Sequence, residues 1–169
     1  MCDCSGNAGV LVCSLKRDTP QLIEPGGYRI VRFPFGGGES YDTYSMHQTS
    51  QPDAFVIDSD GWDDDDRSGL IWPTRHGWGT LHALIQWGGT PDASEYRDQF
   101  VRDPLGLFSP PDTTATDHRA PTPGGQFWTK THGIFVHPGV PLALRVAHNA
   151  PGPLALTLAE FKLVIHLAA

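Results

Sequence analysis

Between Gly133 and Leu167 the chain alternates apolar and polar positions in two runs joined by a Pro/Gly turn. In the first run Leu142, Leu144 and Val146 share one face while Ala143, Arg145 and Ala147 take the other, the period of two expected of a strand with one covered side. Asn149, Ala150, Pro151, Gly152 and Pro153 end it. The second run opens on Leu154, Leu156 and Leu158, then changes parity to Phe161, Leu163, Ile165 and Leu167, with Lys162 and His166 facing the other way. A parity change inside a strand requires one extra residue, and the pattern puts a β-bulge near Ala159 and Glu160. The chain is therefore expected to end in a buried strand, as all-β sandwiches and jelly rolls do.

The rest of the chain reads as strand and turn. Strand character is expected at Leu22–Ile23, Tyr28–Phe35, Ala54–Ile57, Leu70–Trp72, Tyr96–Val101 and Gln126–Thr131. From Trp78 to Trp87 both faces carry apolar groups, Trp78 and Leu84 opposing Leu81, Ile85 and Trp87, as in an inner strand or a strand at a subunit contact. Residues 104–123, rich in Pro, Asp and Thr, read as a long surface loop, and no helix of two or more turns is evident. Residues 1–20 read as an N-terminal arm whose apolar patch, Val10, Leu11 and Val12, is a candidate attachment point, leaving 21–169 as one head domain.

Composition agrees with many short strands. At 169 residues the chain fits one domain, and its 19 Gly and 15 Pro are scattered between apolar runs. A formal charge of −7 leaves no basic footprint for nucleic acid. No apolar run reaches the roughly 20 residues of a spanning helix and no secretory leader is visible, so neither a membrane nor a nucleic acid is expected as a partner. Cys2, Cys4 and Cys13 are an odd set confined to the first residues, expected as free thiols before a three-sulfur metal site.

Two phrases carry a family resemblance. Ser68, Gly69, Leu70, Ile71, Trp72 and Pro73, followed by Gly77, Trp78, Gly79, Thr80, Leu81 and His82, form an apolar-plus-proline segment before a Gly-aromatic step into a long strand. His132, Gly133, Ile134, Phe135 and Val136, then Pro138 and Gly139 ahead of Leu142, Leu144 and Val146, form a short strand, a Gly turn and an alternating strand, and Leu158, Phe161, Leu163 and Ile165 resemble a closing strand. Together these are similar to the jelly roll shared by the globular heads of the first complement component and the tumour necrosis factor superfamily. The resemblance implies an antiparallel jelly-roll sandwich of about ten strands assembling as a homotrimer, with Trp78, Leu81, Trp87, Phe161, Leu163 and Ile165 filling the core and the threefold contact. Heads of this type also occur on tailed-bacteriophage particles. With 3 Lys against 9 Arg and much Gly, Ala, Pro and Asp, the composition points to a GC-rich phage genome. The expectation is a non-catalytic virion protein made in the host cytoplasm, a decoration, minor capsid or minor tail component contacting other virion proteins.

The sharpest chemical feature is the acidic loop 58–66. Asp58, Asp60, Asp63 and Asp64 are the candidate oxygen ligands for calcium, the one cofactor the sequence suggests, although the helix-flanked calcium-loop pattern with its closing Glu is absent. Trp62 within it is a candidate for stacking on a host surface glycan, the alternative function to a purely structural head. Eight histidines, including His76, His82, His132 and His137, show no metal-hydrolase spacing and are expected as surface or structural residues. No serine sits in a nucleophile elbow, and Cys13, though near Lys16 and Arg17, has no evident base, so no catalytic residue is assigned.

Overall fold

In the computed structural model, which describes residues 9–37, 40–89 and 92–167, the final strand is the spine of the larger sheet. Strand β9 (Leu154–His166) bonds along one edge to β1 (Val10–Arg17) and β2 (Gln21–Ile23), and along the other to β4 (Gly77–Trp87). Strand β4 pairs in turn with β7 (Gln126–Val136), and every pairing is antiparallel. The second sheet runs β3 (Arg29–Ile30), β8 (Leu142–His148), β5 (Tyr96–Arg102) and β6 (Asp112–Arg119) in that spatial order. The result is an antiparallel jelly-roll sandwich with nine strands among the described residues.

The core lies between the sheets because each strand sends alternate side chains inward. Phe161 on β9 stacks with Phe33 and Phe100 at centroid distances of 6.4 and 5.9 Å, joining the two sheets across the sandwich. Leu81, Trp87, Phe161, Leu163 and Ile165 are all buried in this core, so five of the six residues expected at the core or threefold contact belong to the core. Trp78 alone of that set stands on the outside.

Several expectations are corrected. Val10, Leu11 and Val12 do not belong to a free arm: they open β1, which pairs with β9 from Val10↔His166 to Arg17↔Ala159. The alternation explains it, since Cys13 and Leu15 enter the core with Leu11 packed against it, while Val10 and Val12 face outward. Residues 1–8 of the expected arm lie outside the described residues. The bulge falls at Thr157, not at Ala159 and Glu160: Gln86 pairs with Leu158 and Trp87 with Leu156, leaving Thr157 as the extra residue. Leu156 and Ala159 can then both point inward, while Leu158 turns partly outward. The supposed loop 104–123 contains β6, while Ala54–Ile57 and Leu70–Trp72 contribute single bridges, Ser50↔Val56 and Ile71↔Leu142.

The flank formed by β5, β6 and β7 is clamped by charge. Lys130 on β7 is buried, and its Nζ lies 2.7 Å from Oδ1 of buried Asp98 and 3.0 Å from Oδ2 of Asp117. Arg119 donates to Asp98 Oδ2 at 2.7 Å and stacks over Trp128, so two cations balance two carboxylates. A register irregularity between β5 and β6, with Ala115 at φ 51°, turns the Ala115 carbonyl onto the same Nζ. Lys130→Ala leaves buried Asp98 with Arg119 as its one cation and removes a charge-assisted bond, so it should cost about 1.5–3 kcal/mol in urea unfolding. A cost below about 1 kcal/mol would show the clamp to be energetically idle.

Candidate functional site

The acidic loop folds as two short 3-10 turns, Ser59–Asp64 and Asp66–Gly69, and four of its six carboxylates, those of Asp58, Asp63, Asp65 and Asp66, have partners within the chain. Asp58 accepts the Asp60 amide and Asp65 the Arg67 amide, each capping its turn. Asp63 pairs with buried Arg17 at 2.8 Å, and Asp66 pairs with Arg32 at 2.9 Å. The candidate calcium ligands Asp58, Asp60, Asp63 and Asp64 are thus not gathered around one point, and no group of three or more metal-ligating side chains converges among the described residues. The loop's charge serves to dock it on the sheet. Trp62 has the Arg17 guanidinium 5.0 Å from its ring centroid, so one of its faces is already covered.

Other candidates are also structural. Cys13 sits in the core, where burial and, secondarily, the Asp42 carboxylate push its thiol far above the ordinary range, the reverse of activation by Lys16 and Arg17. His132 Nε2 lies 2.8 Å from the Thr114 hydroxyl, and His82 stands beside Thr131. Asp103, unremarked in the sequence, is buried and accepts amide protons from Leu107, Phe108 and Ser109 at 2.7–2.9 Å. Burial would raise its carboxyl, but the three amides outweigh burial and hold it below the usual value.

The outer face of the larger sheet presents exposed apolar side chains among the described residues. The registers align Val10, His166, Trp78 and Phe135 across β1, β9, β4 and β7, and Val12, Val164, Thr80 and Gly133 in the adjacent row. The next rows place Ser14, Lys162, His82 and Thr131, then Lys16, Glu160, Leu84 and Thr129. The face is therefore apolar at one end and mixed at its centre, with Lys162 and Glu160 3.5 Å apart. Trp78 and Phe135 are each 52% exposed and pack edge to face at 6.5 Å. Gly133 makes this possible: a Cβ there would stand 2.5 Å from Cζ2 of Trp78, so the indole rests on bare backbone of β7. Sequence reasoning found Trp78 through the two-sided apolar pattern of β4. It missed Phe135 and Val164, for which the same alternation on β7 and β9 was the available signal.

Away from the strands, buried His47 stacks on Phe35 at 4.3 Å and its Nε2 lies 2.6 Å from the Ser68 carbonyl. Burial lowers its affinity for a proton, only partly opposed by that carbonyl and by Asp42. The unfolded chain then binds more protons than the folded one below about pH 6.5. Stability should be complete above that pH and fall as pH drops through the window beneath it, and His47→Gln should flatten that part of the profile. An unchanged slope in His47→Gln would assign it to other groups.

No protein-family model matches the sequence, and no curated protein matches it. Solved structures do match. Murine APRIL at pH 5.0 superposes with a TM-score of 0.54 at 10% identity, over 93% of this chain and 99% of that one. Murine APRIL at pH 8.0 gives 0.55 at 10% identity over the same shares. Eiger TNF from S. frugiperda gives 0.52 at 10% identity, over 94% of this chain and 93% of that one. At such identity the likeness is one of architecture: the chain has the TNF-like jelly-roll fold.

Proposed function

We propose that this chain is a non-catalytic head domain that acts by assembly, as a homotrimer built on the outer face of the sheet β1-β9-β4-β7. One observation carries the reading: Trp78 and Phe135, half exposed and side by side, continue into Val10, Val12 and Val164 on a face that spans four strands. Contiguous apolar surface of this kind on a rigid sheet is characteristic of an interaction site. Its burial at ~25 cal/mol per Å² would stabilise association once orientation and ordering costs are offset. Charge supports a second copy as occupant, because Lys162 and Glu160 give the face both signs although the chain carries −7 overall. The threefold order rests on the resemblance to complement-type and tumour necrosis factor heads.

A place on a tailed-phage particle, with other virion proteins as partners, is the finer part of this proposal and rests on composition and resemblance. The solved neighbours named above are APRIL and Eiger, and neither is a virion protein. The glycan-binding alternative gains nothing from Trp62, whose ring is already engaged by Arg17.

Charge introduced on the face tests the assembly. Trp78→Asp and Val164→Asp should each dissociate the assembly in sedimentation velocity while the far-UV spectrum stays that of the parent. Phe108→Asp, on the exposed β5–β6 connection and outside the four strands of the face, should leave the assembly intact. Assembly surviving both face substitutions would move the contact elsewhere.

A further inference from the structure

We infer that His76 and His137 form a binding site for a late first-row divalent metal ion, such as Cu²⁺ or Ni²⁺. His76 immediately precedes β4 and His137 immediately follows β7, where Gly77 and Val136 are paired. The ladder thus continues by one step and sets the two imidazoles opposite one another at the end of the sheet. Their Nδ1 atoms lie 3.1 Å apart, with the rings nearly perpendicular at 78°. Both side chains are exposed, so the site is open to solvent.

The separation discriminates between readings. A direct N–H···N hydrogen bond requires the two rings to adopt opposite tautomers, and a hydrogen bond open to water adds little free energy. If both rings carry the proton on Nε2, two lone pairs face each other across 3.1 Å, an arrangement that a cation relieves. Imidazole nitrogens bind zinc-sized ions at about 2.0–2.1 Å, so two ligands of one ion are about 2.9 Å apart at a right angle and about 3.3 Å apart at the tetrahedral angle. The observed distance falls between these limits.

The donor set selects the class of ion. Two neutral nitrogens without a carboxylate suit Cu²⁺, Ni²⁺ or Zn²⁺, whereas Ca²⁺ and Mg²⁺ demand oxygen. Copper should bind tightest, following the general order of affinities for nitrogen donors. The remaining coordination positions would be taken by water or by an incoming ligand, because nothing in the chain's described residues adds a third donor. Phe135, whose ring is 5.7 Å from His137 and 6.5 Å from Trp78, links the site to the indole, giving an optical readout. The inference stands apart from the homotrimer, since both ligands come from a single chain.

Titration of CuCl₂ and NiCl₂ into the full-length chain tests it, with Cys2 and Cys4 replaced by Ser so that thiols do not compete. The expected result is saturable uptake of one ion per chain by calorimetry, with copper quenching of tryptophan emission that is reduced in Trp78→Phe. His76→Asn and His137→Asn should each weaken that uptake at least tenfold, the double variant should lose it, and His118→Asn should bind as the parent does. Absence of saturable uptake below roughly 1 mM metal, or uptake unchanged in both His76→Asn and His137→Asn, would overturn the assignment.

Discussion

Strand β9 is held on both edges by hydrogen bonds from distant parts of the sequence, the N-terminal β1 and β2 on one side and the mid-chain β4 on the other. Its thirteen residues supply Leu156, Ala159, Phe161, Leu163 and Ile165 to the core, and they can do so only because Thr157 is an unpaired extra residue that resets the alternation. Without that bulge, Leu156 and the later set would lie on opposite faces. Phe161 then touches both Phe33 and Phe100, so the register of β9 also determines how the second sheet sits on the first. A sandwich closed by pairing its first strand with its last is dominated by distant contacts, which predisposes it to slow folding.

The same register creates the outer face. Each residue that β1, β9, β4 and β7 send to the core has a neighbour pointing outward, and at one end those neighbours are Val10, Val12, Val164, Trp78 and Phe135. The apolar surface is thus a consequence of the strand geometry together with the residues at alternate positions. Charges elsewhere are spent within the chain: Arg17 and Arg32 hold the acidic loop, and Lys130 and Arg119 hold Asp98. The outer face keeps an open apolar end, where the Trp78 indole lies on the bare backbone at Gly133.

Much of the fold was legible where alternation was clean. Leu142, Leu144 and Val146 on β8, and Leu81, Ile85 and Trp87 on β4, point inward as their spacing predicts. Strand β1 was obscured because Arg17 occupies an inward position, where only its bonds to Thr19, Gln21, Arg32 and Asp63 make a buried guanidinium tolerable. Strand β6 was hidden by polarity: Asp112–Arg119 is an edge strand whose side chains are largely exposed, so no hydrophobic period marks it. The acidic loop misled for the opposite reason. A run of carboxylates suggests ligands, but their cationic partners Arg17 and Arg32 are distant in sequence and become visible only in the fold. The meeting of His76 with His137, separated by 61 positions, follows from the β4–β7 pairing and has no local sequence signal.

An interface between copies of this chain on the outer face of the larger sheet, as proposed, sets the mass of the particle in solution. Sedimentation equilibrium of the purified chain tests it most directly, because it yields a mass independent of molecular shape. The proposed homotrimer requires three times the 18.4 kDa chain mass. A mass of one chain, unchanged as concentration is raised, would contradict it.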